Sequence, residues 1–277
     1  MSKTEEKNLY ISKIVDCGIY KIYSDNDFKP DLDFLIPKVY EGKKVSGIGK
    51  YSFISIRFNN VFIEEGISFI DEKAFTNCEI NNIYIPNSIE NISEDSFKNS
   101  RVLNYHFQEG VLDVDLSRLE INIDLDEVII HIPKSVNKIN LSGDQNVVFE
   151  IDRDNPNYKF ENGCLIDKKT DTTIYIAQYS AAFSDFFSEY TFPTTKCINL
   201  ENDEIFIAEK IIIPEGVEEI KSLGLLKTKE KITISFPKSL KKIHKQSDLD
   251  VFEYNYIEID NNKNYILFNG DLLYIGD

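Results

Sequence analysis

Apolar and polar positions alternate along this chain in an eight-residue pattern that returns every 22 residues in its clearest copies. Apolar residues stand at the first, fifth and last places, as in Ile63–Ile70, Ile85–Ile92 and Phe107–Val114. Later copies begin at Ile132, Ile213 and Phe236, a weaker copy begins at Phe192, and a degenerate copy begins at Ile36. A period in the low twenties predicts a solenoid, in which each coil buries its apolar side by stacking on its neighbours.

Each coil is expected to begin with a short strand, because apolar and other residues alternate with period two in Asn82–Ile85. Pro86 is expected to end the hydrogen bonding of that strand, and Ile89 and Ile92 are expected to point back into the interior. Large aromatic residues recur at the same 22-residue spacing on the far side of the coil: Phe53, Phe75 and Phe97. They are predicted to stack and to fill the interior of the solenoid.

The strand phase divides the strand positions into two faces, because successive side chains of a strand point to opposite sides. The predicted inward set is Val61, Ile63, Ile83, Ile85, Tyr105, Phe107, Ile130, Ile132, Ile211, Ile213, Ile234 and Phe236. The predicted outward set is Asn60, Phe62, Asn82, Tyr84, Asn104, His106, Ile129, His131, Glu189, Thr191, Lys210, Ile212, Thr233 and Ser235. Neighbouring strands lie about 4.8 Å apart. We therefore predict a continuous stripe of rings formed by Phe62, Tyr84, His106 and His131. We also predict that Asn60, Asn82 and Asn104 form a ladder of side-chain hydrogen bonds.

The chain resembles the BspA-type leucine-rich repeat family. The resemblance is carried by I-P-x-S-I-x-x-I followed by A-F or S-F, as in Ile70 to Phe75 and Ile92 to Phe97. It is also carried by Asn155–Tyr158, which reads N-P-N-Y, and by the strand pattern of Asn162–Ile166. The resemblance covers roughly residues 34–277, with departures at 112–128 and 221–231, where the A-F plug is missing.

The expected fold is therefore mainly β, a leucine-rich-repeat solenoid of 22–25-residue coils with short strands on one face and inserted β-hairpins. We expect an N-terminal cap at 1–33 and a solenoid at 34–277, with a hairpin insertion at 149–189 and a C-terminal hairpin cap at 256–277. Asn162 and Gly163 form the expected turn of the inserted hairpin. Phe183, Phe186 and Phe187 lie on a short amphipathic stretch that is a candidate helix.

The charge balance narrows the choice of partner. Acidic residues outnumber basic ones by 47 to 31, which gives a net charge of −16. This charge disfavours nucleic acid and anionic lipid and favours a basic protein. No apolar run is long enough for a membrane span. The first residues lack an apolar signal core, which by default indicates the cytoplasm, whereas the family resemblance implies the cell surface or secretion.

Candidate chemistry is sparse, and we predict that the chain is not an enzyme and needs no metal or cofactor. The sequence has no nucleophile elbow, phosphate loop or dinucleotide fingerprint, and its only histidines are His106, His131 and His244. His244 is too close in sequence to Ser247 and Asp248 for a catalytic triad. Asp152–Asn155 begins like a calcium loop but lacks its later glycine and glutamate. The cysteines form no C-x-x-C pair: Cys17, Cys78, Cys164 and Cys197.

The favoured function is a protein-interaction module, which the resemblance links to adhesion. The candidate binding face consists of Asn60, Phe62, Asn82, Tyr84, Asn104, His106 and His131. Exposed aromatic residues with polar neighbours are typical of protein interfaces. The alternative for this face is cross-strand stacking that only stabilises the sheet. The alternative functions are an intracellular scaffold or regulator and a glycan-binding protein, and the oligomeric state stays open.

Overall fold

The computed structural model of this chain describes residues 10–13, 20–23, 32–40, 42–119, 121, 128–141, 147–177, 189–200, 210–223, 233–244, 256–259, 265–268 and 271–274. The chain divides into two compact units, Met1–Asn140 and Leu141–Asp277.

The described part of the first unit consists of short strands and one 3-10 helix, Leu116–Arg118. The strands are β1 Tyr10–Lys13, β2 Tyr20–Tyr23, β3 Leu32–Ile36, β4 Val39–Tyr40, β5 Lys43–Lys44, β6 Gly47–Ile48, β7 Phe53–Ile54, β8 Arg57–Ile63, β9 Phe69–Ile70, β10 Phe75–Thr76, β11 Glu79–Ile85, β12 Asn91–Ile92, β13 Arg101–Phe107, β14 Asp113–Asp115, β15 Ile129–Ile132 and β16 Lys138–Asn140.

The first unit is coiled, because strands one repeat apart pair side by side in parallel. β3, β8, β11, β13 and β15 form the longest column, in which Val61 lies opposite Ile83 and Ile83 opposite Tyr105. β6, β9 and β12 form a second parallel column, and β7 pairs with β10 in a third. Each coil therefore passes through three strand positions before it returns to the first, which confirms the predicted solenoid. β1 and β2 are antiparallel, and β2 pairs with β6.

The predicted strand phase is confirmed, and three of the strands are longer than the four residues expected. Every inward position of this unit is buried: Val61, Ile63, Ile83, Ile85, Tyr105, Phe107, Ile130 and Ile132. β8, β11 and β13 each have seven residues and add one further inward side chain, at Phe58, Ile80 and Val102. Asn59 and Asn60 are both half-buried beside buried Phe58 and Val61, so strict alternation fails at this point. That interruption explains why a period-two pattern does not reveal the full strand.

Phe53, Phe75 and Phe97 stack in the interior, as predicted. The ring centroids of Phe53 and Phe75 are 4.9 Å apart and those of Phe75 and Phe97 are 5.3 Å apart, with interplanar angles of 13° and 7°. The three side chains are at most 1% exposed. Full burial of one such side chain stabilises the fold by about 1.5–3 kcal/mol. This stack of three phenylalanines therefore links successive coils through large apolar contacts.

A serine ladder joins the turns that follow the long strands. Ser88 Oγ accepts a hydrogen bond from the amide of Gly66 on the preceding coil at 2.7 Å and donates to the carbonyl of Ile67 at 2.8 Å. Ser135 and Ser239 make the same pair of bonds, to Gly110 and Val111 and to Gly216 and Val217. Gly66 has a φ of 109°, which glycine adopts without strain. The serine of I-P-x-S and the glycine of the neighbouring copy thus act as partners.

The coil that lacks the A-F plug fills its interior differently. In the 25-residue step from Phe107 to Ile132, buried Leu119 takes the place that Phe75 and Phe97 have in the two preceding coils, and Leu116 is buried beside it in sequence. Asp115 begins the 3-10 helix, because its carboxylate accepts a hydrogen bond from the Ser117 amide at 3.1 Å.

Ile89 and Ile92, which were predicted to point into the interior, are less buried than that prediction implies. Both are half-buried, whereas Ile67 and Ile70, their counterparts one coil earlier, are 0% exposed. The second strand column ends at β12, and β14 pairs with β16 in a separate sheet. The two isoleucines therefore face a gap between coils instead of a closed interior.

The described part of the second unit consists of strands. They are β17 Val148–Ile151, β18 Tyr158–Glu161, β19 Cys164–Asp167, β20 Thr172–Ile176, β21 Glu189–Thr191, β22 Cys197–Asn199, β23 Lys210–Ile212, β24 Glu219–Ser222, β25 Thr233–Phe236, β26 Lys242–Ile243, β27 Tyr256–Ile259, β28 Tyr265–Phe268 and β29 Asp271–Tyr274.

The second unit begins with the predicted meander and continues as coils. β18, β19 and β20 are antiparallel, and the turn at Asn162 and Gly163 has φ values of 51° and 76°. β20 then pairs in parallel with β22, which continues to β24 and β26. β21, β23, β25 and β27 form the other parallel column, and its predicted inward residues are buried: Ile211, Ile213, Ile234 and Phe236.

Several predicted features lie partly or wholly outside the described residues. The candidate helix with Phe183, Phe186 and Phe187 is one of them, as are Cys17, Ser247 and Asp248. β28 and β29 form an antiparallel hairpin near the end of the chain. The assignment of 1–33 and 256–277 as caps, and of 149–189 as an insertion, remains a prediction.

Candidate recognition face

The four rings predicted on the outer face of the long strands form one continuous stack, which we call the ring column: Phe62, Tyr84, His106 and His131. The parallel register places each ring opposite the next. Successive centroids are 4.6, 4.4 and 3.8 Å apart, and successive interplanar angles are 15°, 12° and 13°. The predicted stripe is therefore confirmed as a geometric feature of the first unit.

The ring column is most accessible at its Phe62 end. Phe62 is 37% exposed, and Leu35, which lies opposite it on β3, is 56% exposed. Sequence reasoning did not include Leu35. It precedes Ile36, the start of the degenerate repeat copy, and so occupies the same outward place as Phe62 before Ile63. That alignment was the signal that could have identified it.

The asparagines beside the ring column form a ladder only in part. Asn82 Nδ2 donates to Asn60 Oδ1 at 3.0 Å, and Asn60 Nδ2 donates to the carboxylate of Asp33 at 2.6 Å. Asn104 instead donates to the backbone carbonyl of Asn81 at 2.9 Å. The amide groups of these asparagines therefore hydrogen-bond to neighbouring strands of the sheet.

His106 is held in its neutral form at pH 7. Burial, with a smaller contribution from the neighbouring His131, lowers the pKa of His106 from 6.5 to about 4. Its Nε2 lies 3.1 Å from Asn82 Oδ1, an acceptor, so this nitrogen carries the proton. The ring of His106 therefore acts as an uncharged, stacked aromatic group.

The equivalent face of the second unit has no comparable stack among its described residues. The corresponding outward column there is Thr191, Ile212 and Ser235. Two places earlier, Glu189 and Lys210 face each other with 3.8 Å between carboxylate and ammonium. The two units therefore present different surfaces from the same repeat pattern.

The residues weighed as a calcium loop or a catalytic group hydrogen-bond to their neighbours. Asp152 Oδ1 accepts the amide of Asp154 at 2.8 Å, and buried Asn155 accepts the amides of Asn157 and Tyr158, as turn residues do. His244 Nε2 lies 2.5 Å from Glu219 Oε1. The hydrogen bond between the two side chains lowers the pKa of the Glu219 carboxyl group.

Among the cysteines that the structure describes, Cys78, Cys164 and Cys197 are buried and form no disulfide. Burial raises the pKa of the Cys78 thiol to about 11. Cys78 Sγ lies 3.7 Å from the Phe53 carbonyl, and the matching Ser100 Oγ donates to the Phe75 carbonyl at 2.6 Å. Cys78 is therefore an interior residue, as predicted, and is poorly suited to thiolate chemistry.

Comparison with known proteins identifies the repeat. The family model described as "BspA type Leucine rich repeat region" matches residues 36–143 and 205–269 in six copies, well over half of the chain. No curated protein sequence is significantly similar to this chain. In the parts that the structure describes, no helix has the length and apolar character needed to cross a membrane.

Three solved structures are similar to this chain at low sequence identity. A leucine-rich repeat protein from Eubacterium ventriosum is 20% identical over 68% of this chain, with a TM-score of 0.37, and this chain spans 56% of its length. The pneumococcal vaccine antigen PcpA is 16% identical over 92% of this chain and 80% of its own, with a TM-score of 0.45. A leucine-rich cell surface protein from Faecalibacterium prausnitzii is 14% identical over 95% of this chain and 96% of its own, with a TM-score of 0.36.

Proposed function

This chain belongs to the BspA-type leucine-rich repeat family, and on that premise we propose that it is a non-enzymatic module that binds a partner protein along the ring column. The proposed contact surface consists of Leu35 and the four rings, flanked by the asparagines of the long strands. Adhesion, with the chain displayed at the cell surface, is the version of this function that the family suggests.

Preorganisation of the ring column is the observation that carries the proposal. Each ring contacts its neighbours at 3.8–4.6 Å, so its orientation is fixed before a partner arrives. Immobilising a free side chain at an interface costs about 0.5–1.5 kcal/mol, and a ring that is already held avoids most of this cost. Phe62 and Leu35 add exposed apolar surface at one end, which suits them as anchors.

The stacking of the rings also favours a protein partner over a glycan. Sugars bind aromatic side chains mainly through the flat ring face, whereas here each inner ring has both faces covered by neighbouring rings. The exposed edges of the rings suit apolar and polar protein side chains better. A glycan array tests the alternative: binding that is lost in Phe62→Ala would favour the glycan, and an array without signal would count against it.

The cellular compartment distinguishes adhesion from an intracellular scaffold that uses the same face. We suggest fractionation of the source cells, with surface labelling by a membrane-impermeant reagent and the native N-terminus intact. Labelling of the chain supports adhesion. A pool found entirely in the cytosol would leave the interaction surface intact and favour the scaffold.

The binding face itself is tested by capturing partners with the purified chain and with a Leu35→Ala, Phe62→Ala double variant. Ile54→Ala is the matched control, because Ile54 is 47% exposed and lies on β7, away from the long strands. We expect the double variant to lose the captured partner and the control to retain it, with thermal unfolding showing that both are folded. Equal capture by all three proteins would place the contact elsewhere.

A further inference from the structure

A groove opens between two successive coils of the first unit, on a different part of the coil from the ring column. Its cavity measures about 310 Å³ and lies beyond the ends of β11 and β13, between β12 and β14. It is the place where Ile89 and Ile92 become half-buried. A volume of this size lies at the lower end of the range for ligand sites in proteins, about 300–1,000 Å³.

The groove coincides with a break in the backbone ladder between coils. Glu90 and Asn91 donate to the Ser68 carbonyl at 2.8 and 3.4 Å, and Asn137 and Lys138 donate to the Leu112 carbonyl at 2.8 and 3.2 Å. The same pair of bonds recurs in the second unit, where Glu218 and Glu219 donate to Lys196. Across the described residues of the groove, no such bonds join Leu112 and Asp113 to Glu90, and β12 and β14 belong to different sheets.

Two facing strand edges are thus left open at the groove. Such edges bind extended peptides through backbone hydrogen bonds, while alternate side chains enter pockets. The coils remain in close contact at the adjoining turn, where a Cβ atom on Gly110 would lie 3.0 Å from the side chain of Asn87. The opening is therefore a local wedge between packed coils.

The lining of the groove indicates which peptide fits. Its floor is apolar, formed by Ile89, Ile92, Phe107 and Val111, and its rim carries Glu90, Asp113 and Asp115. Among the described residues of the lining, the one basic residue is Arg118. Its guanidinium already forms an ion pair with Glu94 at 3.3 Å and lies 3.8 Å from the carboxylate of Asp115. The rim therefore keeps excess negative charge, in a chain whose net charge is −16.

We propose that this groove binds an extended segment of a partner protein in which apolar and basic side chains alternate. The apolar side chain enters the floor over Ile89 and Ile92, and the lysine or arginine side chains on either side reach Glu90 and Asp113. Backbone groups of the segment take up the hydrogen bonds that β12 and β14 do not exchange. This site is independent of the ring column, so the two proposals can succeed or fail separately.

The test uses the full chain and three capped pentapeptides as probes: Lys-Val-Lys-Val-Lys, Glu-Val-Glu-Val-Glu and Lys-Gly-Lys-Gly-Lys. Binding is followed by amide NMR. The first peptide is expected to shift the amides of Leu112 and Asp113 saturably, and to bind more weakly as salt is raised. The glutamate peptide is expected not to bind, and the glycine peptide to bind several-fold more weakly because it lacks apolar side chains.

Charge variants locate the site. Glu90→Gln with Asp113→Asn removes two exposed rim charges and should weaken binding of the Lys-Val peptide roughly three- to ten-fold. Asp152→Asn with Asp154→Asn, at an exposed turn of the second unit, removes the same charge and should leave binding unchanged. Equal binding of the lysine and glutamate peptides, or an unchanged affinity of the rim variant, overturns the proposal. Shifts that depend on protein concentration alone would show a second copy in the groove and also overturn it.

Discussion

Acidification is expected to destabilise the first unit through His106. Burial lowers the pKa of this histidine to about 4 in the folded chain, from 6.5 for an exposed imidazole. Between these two values the unfolded chain binds the proton and the folded chain does not. The stabilisation is therefore complete above pH 6.5 and is lost as the pH falls toward 4.

The surroundings of the ring explain why the proton is excluded. His106 lies between Tyr84 and His131, with its Nε2 directed at the side-chain oxygen Oδ1 of Asn82. A charged His106 would be partly desolvated and 3.8 Å from a second imidazole. Because solvent reaches part of the ring and screens this cost, we expect a loss of about 1 kcal/mol between pH 7 and pH 5.

Urea unfolding of the chain and of His106→Gln at pH 7, 6 and 5 measures this loss. The variant removes the histidine and keeps a neutral polar side chain, so the carboxylates contribute equally to both proteins. The chain should lose about 1 kcal/mol more than the variant over this range. Identical pH dependence in the two proteins, or a ring titration of His106 near 6.5 by NMR, would refute the reasoning.

Three further predictions concern the interior and the turns. Phe75→Leu should destabilise the first unit by about 1–3 kcal/mol, because the ring contacts Phe53 and Phe97 at 4.9 and 5.3 Å; a change below about 0.5 kcal/mol in urea unfolding would contradict the stack. Ser88→Ala should cost about 1–3 kcal/mol by the same assay, since it removes both bonds of the serine ladder, and Asn87→Ala at the same exposed turn should cost less. Cys78 should resist iodoacetamide at pH 8 in the folded chain and react once it is unfolded, as mass spectrometry would show; rapid labelling of the folded chain would contradict its burial and raised pKa.

The repeat period was enough to predict which side chains become neighbours. Residues 22 apart, such as Phe62 and Tyr84 or Phe53 and Phe75, stand on adjacent coils, because a solenoid converts a sequence period into a spatial one. The inward and outward faces followed from the two-residue alternation of the strands. These features depend only on local spacing, and the structure reproduces them.

Features that depend on how closely two coils approach could not be predicted. The repeat pattern is nearly identical at Ile67 and Ile89, yet the former is fully buried and the latter faces a groove. This difference in burial arises from the next coil, whose strand β14 does not pair with β12. The serine ladder was missed for a related reason: its partners, Gly66 and Ser88, belong to different copies of the pattern.

NMR cross-relaxation between the ring protons of the interior residues Phe53, Phe75 and Phe97 tests the stacked-coil arrangement most directly. Adjacent coils lie about 4.8 Å apart, so rings two coils apart are separated by about 10 Å, beyond the reach of proton cross-relaxation. With phenylalanine-selective labelling, we predict cross-peaks from Phe75 to both Phe53 and Phe97 and none between Phe53 and Phe97. A direct cross-peak between Phe53 and Phe97, or the loss of either contact to Phe75, would contradict the arrangement on which the ring column depends.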